Sequence, residues 1–148
     1  MGTIELPPDL LEFLKLLSSH DVEYLLVGGY AVGIYGYPRS TGDMDVWVGR
    51  TSDNATKLAQ VFIAFGYSPT SVNAEMFLDA GRIIRMGVPP VCIDILMSAS
   101  GADFADCYAR RRQELLNDTA VSVISLADLK VNKQASGRPK DLEDLRHL

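Results

Sequence analysis

The chain has 148 residues and a formal net charge of −5, with 47% apolar and 22% charged residues. This size suits one compact domain with one apolar core, and the composition is ordinary for a soluble globular protein. The negative charge excludes a general electrostatic attraction to nucleic acid, and no apolar run approaches a membrane span. The opening MGTIELPPDL lacks the pattern of a signal peptide, so we expect a cytoplasmic protein with no membrane partner.

Cysteine and histidine offer no metal site in this sequence. Cys92 and Cys107 form no CxxC pair, and His20 and His147 are too widely separated to complete a ligand set. Isolated cysteines of this kind are typically buried apolar groups, in keeping with a reducing cytoplasm.

The first predicted elements are a helix and a strand that ends in two glycines. A helix opens at residues 7–9 and carries an apolar stripe of Leu10, Phe13, Leu14 and Leu17. A strand at residues 22–27 then runs into Gly28-Gly29, and a short helix follows at residues 30–35. A glycine turn before a helix N-terminus aims N–H groups at anions, which suits phosphate. The alternative is a plain tight turn.

The next segment joins a loop to an acidic strand. The loop at residues 36–42 carries Arg39, a candidate for phosphate because its planar fork matches phosphate oxygens, or else an ordinary surface arginine. In the strand at residues 43–48, period-2 alternation places Asp43 and Asp45 on one face, roughly 7 Å apart. Such carboxylates repel each other unless a cation intervenes, and oxygen ligands suit a hard ion such as Mg²⁺. The alternative is two solvated aspartates.

A third aspartate lies in an apolar strand. After a crossover helix that starts near residues 51–53 and ends at Gly66, strands at residues 82–86 and 91–97 form a predicted hairpin. Asp94 lies between isoleucines in the second strand, and a lone buried charge needs a partner. A metal ion shared with Asp43 and Asp45 would supply one, and so would an arginine such as Arg82 or Arg85.

The last third of the chain is predicted to be mainly helical. Residues 104–116 are expected to form a helix whose solvated face carries three arginines at 110–112, and residues 121–124 a short strand. Ser125 begins a capping box for a helix that carries Lys133. A final helix at residues 141–148 is expected to pack Leu142, Leu145 and Leu148 inward, with Asp141 and Asp144 on another face.

Together these pieces resemble the nucleotidyltransferase superfamily whose catalytic core also occurs in DNA polymerase beta. The shared pattern is a strand, a glycine turn (Gly28-Gly29), an acidic pair (Asp43-Met44-Asp45) and a third acid on a later strand (Asp94). The tail SLADLKVNKQASGRPKDLEDLRHL resembles that of small bacterial members, including abortive-infection type toxins, with Lys133 or Lys130 as the helix lysine before Lys140, Asp141 and Asp144.

The resemblance implies an α/β (α+β) fold in which a mixed central sheet is flanked by helices. The resemblance covers residues 22–148, and we expect one domain over residues 1–148, with a packing helix in 1–21, a catalytic core in 22–97 and a helical C-terminal part in 98–148. Gly29 stands where many active members have serine, so that backbone N–H groups would meet the phosphates here.

The resemblance also implies a reaction and roles for the candidate residues. A nucleoside monophosphate would move from an NTP to an acceptor hydroxyl with release of pyrophosphate. Asp43 and Asp45 would hold Mg²⁺ or Mn²⁺, and Asp94 would bind a second ion and could take the acceptor's proton. The nucleotide would be bound by the residues Gly28, Gly29, Arg39, Thr41 and Lys133.

The acceptor and the partners remain open at this point. A tRNA end, a protein hydroxyl or a small molecule such as an antibiotic fits the resemblance, and the toxin-like tail favours tRNA or protein within a two-gene toxin–antitoxin system. The alternative is a non-catalytic module on the same fold that senses nucleotide or binds a partner protein.

Overall fold

The computed structural model describes residues 6–37, 42–88 and 90–148. Over these ranges the strands are β1 (Tyr24–Val27), β2 (Asp43–Val48), β3 (Ile83–Val88), β4 (Val91–Leu96), β5 (Arg112–Leu116) and β6 (Thr119–Val123). The helices are α1 (Pro8–Ser19), α2 (Gly28–Ile34), α3 (Ser52–Phe65), α4 (Phe104–Ala109), α5 (Leu126–Ser136) and α6 (Pro139–Arg146). A single turn of 3₁₀ helix covers Ala74–Phe77.

The described strands form one mixed sheet in the order β3-β4-β2-β1-β6-β5. The strand β2 pairs in parallel with β4 and antiparallel with β1, and β1 pairs in parallel with β6. Antiparallel hairpins, β3-β4 and β5-β6, form the two edges. Helices flank this sheet, so the predicted mixed α+β architecture is confirmed.

The core lies between the central strands and the long helices. The apolar stripe predicted for α1 is confirmed, because its four side chains are all buried. Phe13 of α1 packs edge-on against Phe62 and Phe65 of α3, with ring centroids 6.0 and 5.3 Å apart. None of the helices in the described ranges combines the length and the apolar character needed to cross a membrane.

The segment at residues 104–116 differs from the expected single helix. The helix α4 ends at Ala109, and residues 112–116 form β5, which pairs with β6 along an antiparallel hairpin. The hairpin turns at Asn117 and Asp118, whose φ angles of 49° and 62° are left-handed. Asn and Asp tolerate this conformation, and two such residues make the turn whose twist suits a hairpin. The C-terminal part is therefore not purely helical.

The arginines beside this hairpin also depart from the prediction of a solvated helix face. Arg110 lies just beyond the end of α4 and donates from Nε and Nη2 to both carboxylate oxygens of Asp128, at 2.9 and 3.0 Å. Asp128 lies in the first turn of α5, where Ser125 caps the helix as predicted. Arg110 thus connects α4 to α5.

The packing of α6 differs from the expected pattern at Leu142 and at its two aspartates, whereas Leu148 packs against the core as expected. Asp141 and Asp144 are buried, whereas Leu142 is 46% exposed. The carboxylates face the buried ammonium of Lys133, which lies 3.1 Å from Asp141 Oδ1 and 3.0 Å from Asp144 Oδ2. The contact between α5 and α6 is therefore ionic, because a buried lysine needs anionic partners on the facing helix.

Lys133→Met should destabilise the fold by about 3–5 kcal/mol, because it leaves carboxylates buried without their ammonium partner. Urea unfolding measures the change. Lys130→Met on the exposed side of the same helix is the matched control and should change the free energy of unfolding by no more than about 0.5 kcal/mol. Equal effects at the two positions would contradict a structural role for the buried lysine.

Candidate active site

The candidate site is a row of polar side chains that crosses the sheet. In the parallel pairing of β2 with β4, Asp45 lies opposite Asp94, and in the β3-β4 hairpin Asp94 lies opposite Arg85. Residues opposite each other on adjacent strands project from the same face of a sheet, about 5 Å apart. Asp43, two residues before Asp45, projects from this face as well. The structure thus places the three predicted aspartates on one face of the sheet.

Arg85 is the partner of Asp94. Its Nε donates to Asp94 Oδ1 at 2.8 Å, and its Nη2 donates to Asp94 Oδ2 at 3.0 Å and to Asp43 Oδ2 at 2.9 Å. Of the two arginines considered as partners of Asp94, Arg85 makes the contact, and a shared metal ion stays a prediction. Each oxygen of Asp94 accepts one hydrogen bond from Arg85, and its expected role as proton acceptor stays a prediction.

The metal site remains a prediction. In the described ranges no three carboxylate, imidazole or thiol groups lie close enough together to hold a metal ion. The Arg85 guanidinium, placed between Asp43 and Asp94, supplies part of the positive charge that an ion would otherwise bring.

Gly28 lies against the Asp45 carboxylate. The helix α2 begins at this residue, directly after β1. The sequence predicted a glycine turn before a helix at residues 30–35, whereas both glycines belong to the first turn of the helix. A Cβ at Gly28 would overlap Asp45 Oδ2 and would lie 3.0 Å from Asp45 Cγ, and its φ of 67° is left-handed. Both the space and the backbone conformation therefore require glycine here. Gly29 is buried within α2.

Asp45 is a carboxyl of this row whose pKa is shifted well away from the ordinary value. Burial, followed by the charges of Asp94 and Asp43, raises its pKa from 3.8 to about 6, and Lys140 and Lys133 oppose the shift. The ionised form of Asp45 is therefore disfavoured first by burial and then by the two neighbouring acids. Raised carboxyl pKa values of this kind concentrate at functional sites.

A cavity of about 340 Å³ lies over these aspartates. Its opposite side consists of polar side chains from α5, α6 and the segment between them, which are Asn132, Lys133, Ser136, Arg138 and Lys140. The cavity therefore has an acidic side and a basic side, an arrangement that suits a phosphate-bearing ligand with a cation.

The basic side of the cavity is organised by the α5-α6 contact. Lys133 is 3% exposed, and its ammonium, in the wall of the cavity, pairs with Asp141 and Asp144. Burial acts to raise the pKa of Asp141, but hydrogen bonds from Arg138, Ser136 and Lys133 lower it overall. These contacts hold the segment that carries Lys140 beside the acids.

The remaining predicted residues have different outcomes. Arg39 and Thr41 lie outside the described residues, so their predicted nucleotide contacts stay predictions. Sequence reasoning did not assign a site role to Arg138 or Lys140, although both lie in the Gly137-Arg138-Pro139-Lys140 segment that breaks the helical pattern. The signal that could have identified Arg138 and Lys140 is the occurrence of two basic residues in a short break between two predicted helices.

A second cavity of about 440 Å³ lies at the other end of β2. Trp47, Phe104 and Tyr108 line it, and none of the predicted site residues that the structure describes does. Although this cavity is larger, the clustered titratable groups single out the smaller one as the candidate active site.

The raised pKa of Asp45 predicts a pH-dependent stability in metal-free buffer. The folded state binds the Asp45 carboxyl proton more tightly than the unfolded state does. Protonation of Asp45 therefore stabilises the fold at pH 4, and this stabilisation is lost as the pH rises through about 6. The shift corresponds to about 3 kcal/mol. Asp45→Asn should therefore unfold at higher urea concentration than wild type at pH 8, with little difference at pH 4.

Asp53→Asn is the control for this experiment, because Asp53 is exposed and pairs only with Lys57 on the surface among the ion pairs of the described residues. It should change the unfolding free energy by less than about 1 kcal/mol at either pH. An Asp45→Asn variant with the same pH profile as wild type would contradict the electrostatic description of the site.

Gly28→Ala should destabilise the fold more than Gly137→Ala does. Both glycines have nearly the same φ, 67° and 63°, so both substitutions cost about 1 kcal/mol of backbone strain. A Cβ at Gly137 meets only ordinary contacts, whereas one at Gly28 collides with Asp45 and should cost about 1–3 kcal/mol more. Urea unfolding measures the difference, and equal losses would show that the Asp45 contact is unimportant.

Comparisons with known proteins agree with this geometry. The chain is similar over its full length to a crystal structure from Thermotoga maritima named as a "putative nucleotidyltransferase", with a TM-score of 0.66 and 16% identity. The alignment covers 99% of this chain and 95% of that one, and at this identity it shows the fold. No curated protein matches the sequence.

A family match covers the region that contains the whole site. Residues 8–147 match the family described as "Nucleotidyltransferase of unknown function (DUF6036)", which is nearly the entire chain. The match includes the aspartate row, Gly28 and the α5-α6 segment. The protein therefore belongs to this nucleotidyltransferase family.

Proposed function

We propose that this protein is a metal-dependent enzyme that transfers a nucleoside monophosphate from an NTP to an acceptor hydroxyl. The observation that carries the proposal is the row formed by Asp45 and Asp94, with Asp43 on the same face and Gly28 packed beneath the Asp45 carboxylate. The family and the fold supply the reaction class, and the site supplies groups suited to it.

The residues of the site fit a Mg²⁺ or Mn²⁺ ion. Their ligand atoms are carboxylate oxygens on a rigid strand, which hard divalent cations prefer. Burial, followed by the charges of Asp94 and Asp43, raises the pKa of Asp45 to about 6, so a cation beside its carboxylate would be stabilising. Asp43 and Asp45 would hold the ion, which when bound neutralises negative charge on the phosphates.

The chain's own residues would position the nucleotide. Gly28 leaves room for close approach to the backbone, and Lys140 and Arg138 face the aspartates across the cavity, where they would contact the triphosphate. Lys133 would act indirectly, by holding α6 against α5. A catalyst of this kind works mainly by orientation and charge neutralisation.

In the proposed reaction the acceptor oxygen bonds to the α-phosphorus of the NTP. The bond between that phosphorus and the bridging oxygen of the pyrophosphate breaks, and pyrophosphate leaves with the bonding electrons. The acceptor's proton is released to a carboxylate of the site or to water. Asp94 would also hold Arg85 beside the site, because each of its oxygens accepts a hydrogen bond from that guanidinium.

The acceptor is proposed to be a tRNA end or a protein hydroxyl, as the toxin-like tail predicts, and a small molecule stays a further possibility. A partner protein from a two-gene system would be consistent with the small size of the domain. These proposals rest on sequence resemblance, and the labelling experiment below separates them.

A second function is favoured by one observation. Arg85 already binds Asp43 and Asp94, which would suit a non-catalytic module that binds nucleotide or a partner protein without transferring anything. Such a module would bind NTP but transfer no label, so the same experiment distinguishes the two functions.

The test uses NTPs labelled at the α-phosphate, the purified protein, Mg²⁺ or Mn²⁺ and a cell lysate. Wild type should transfer label to a macromolecule or a small molecule, and nuclease or protease treatment then identifies the acceptor class. Asp45→Asn should reduce the transfer at least about 100-fold while remaining folded, because it removes a carboxylate needed for charge neutralisation.

Asp53→Asn is the matched control and should transfer label at the wild-type rate. Nucleotide binding by wild type without any transfer would favour the non-catalytic module. Transfer by Asp45→Asn at the wild-type rate would contradict the assignment of this site.

A further inference from the structure

The proposed reaction does not use the second cavity, which lies at the other end of β2 from the aspartate row. Its volume of about 440 Å³ is in the range of pockets that bind small molecules. Ser98 lines both cavities, whereas Asp43, Asp45 and Asp94 line only the candidate active site. The second cavity is therefore a separate site beside the first.

Three aromatic side chains line the second cavity and fix one another's orientation. Phe104 packs edge-on against Trp47, with ring centroids 5.2 Å apart and an interplanar angle of 88°. Phe104 also stacks on Tyr108, at 5.4 Å and 19°. A Cβ at Gly49 would lie 3.0 Å from Phe104 Cε2, so the glycine leaves the space that the Phe104 ring uses. The cavity thus presents ordered aromatic rings, against which a flat ring can pack.

A buried asparagine holds the backbone that borders the second cavity. Asn54 is 2% exposed, and its Nδ2 donates to the carbonyl oxygens of Gly49 at 2.8 Å and Glu23 at 3.0 Å. Its Oδ1 accepts from the backbone N–H of Glu23 at 2.8 Å. Glu23 precedes β1 and Gly49 follows β2, and both line the cavity. The hydrogen bonds of Asn54 therefore fix this border of the cavity to α3.

The cavity lining also contains a buried donor with no acceptor. Trp47 is 1% exposed, and its Nε1 has no hydrogen-bond partner among the described residues. An indole N–H can only donate, and buried donors almost always have an acceptor. Because Trp47 lines the second cavity, an acceptor atom of a bound molecule would complete its hydrogen bonding.

The charged residues of the lining favour a ligand that donates hydrogen bonds. Among the described residues that line the cavity, Glu23 and Asp103 carry carboxylates and Arg50 carries a guanidinium, and all three are exposed. Carboxylates accept hydrogen bonds and repel phosphate. A phosphate would meet two carboxylates for one guanidinium here, whereas an amino group would find acceptors.

We propose that the second cavity binds a planar nitrogen heterocycle that carries an amino group and no phosphate, such as the base of a free nucleoside. A ring nitrogen would accept from Trp47 Nε1, and the amino group would donate to Glu23 or Asp103. The faces of the ring would pack against Phe104 and Tyr108. Binding at this site is independent of the proposed transfer, because it uses neither the aspartate row nor a metal ion.

The test uses the fluorescence of Trp47, which is the only tryptophan of the sequence. Adenosine, cytidine, guanosine and uridine are titrated into the wild-type protein in metal-free buffer. At least one of the three nucleosides that carry an amino group should change the fluorescence saturably. Its affinity should exceed that of uridine, which lacks the amino group, by at least about tenfold, because uridine leaves a carboxylate without its donor.

Three variants test the position of the bound ring by calorimetry. Trp47→Phe keeps an aromatic ring and removes the N–H, so it should bind the same nucleoside at least about tenfold more weakly. Ala105 is exposed and lines the cavity, so the larger side chain of Ala105→Tyr should abolish binding without altering a buried residue. Ala109→Tyr is the matched control, because Ala109 is exposed on the same helix α4 outside the lining and should bind as wild type does.

Each other result overturns the proposal. If no nucleoside changes the fluorescence at concentrations up to about 1 mM, the cavity is not a site for such rings. Equal affinity for uridine, or unchanged affinity in Ala105→Tyr, would place the bound ring elsewhere. Binding of a nucleoside triphosphate without binding of its nucleoside would mean that the ring belongs to the NTP at the aspartate row. If Trp47→Phe does not fold, the two alanine variants still decide.

The transfer assay separates this proposal from the proposed function. A protein that transfers label but binds no nucleoside overturns the second site and leaves the enzyme assignment intact. A protein that binds a nucleoside in the second cavity but transfers no label overturns the enzyme assignment and supports the second site.

Discussion

Repulsion among three carboxylates on one face of the sheet is the constraint on which the rest of the site depends. Asp45 and Asp94 lie directly opposite each other on paired strands, and Asp43 projects from the same face. Close carboxylates of this kind require cations nearby, and the fold supplies them from two directions. Arg85 is supplied by the edge strand β3, and further basic residues are supplied by the α5-α6 segment in the C-terminal part of the chain.

The C-terminal segment is tied to the site by buried charge. Lys133 joins Asp141 and Asp144 in an interior position, and Arg138 and Ser136 complete the hydrogen bonding of Asp141. A buried ion pair adds little net stability compared with apolar packing, but breaking it is costly. Its main consequence here is geometric: it fixes the approach of α6, and with it the position of Lys140 beside Asp45.

Stability and function oppose each other at Asp45. The carboxyl lies against Gly28 and between two other acids, and its raised pKa shows that the folded protein holds its charge at a cost. A residue selected only for stability would be neutral at this position. The same carboxylate would be stabilised by a bound cation, so the electrostatic cost of Asp45 in the fold is related to the proposed chemistry.

The sequence by itself determined the local features. Alternation along β2 placed Asp43 and Asp45 on one face, helical spacing identified the buried stripe of α1, and an aspartate within an apolar strand indicated that Asp94 has a partner. Each of these depends on interactions between residues close together in the chain. The resemblance to nucleotidyltransferases, drawn from the same motifs, is confirmed by the family match.

Only the tertiary structure decided which partners meet. The register of β3 against β4 selected Arg85 rather than Arg82 as the arginine that pairs with Asp94, and the facing helix made Lys133 a buried partner of Asp141 and Asp144. The β5-β6 hairpin replaced an expected helix, because a turn of two left-handed residues and pairing with the sheet outweighed local helical spacing. Partner choice among charged residues distant in sequence depends on strand register and helix packing, and no local pattern encodes these.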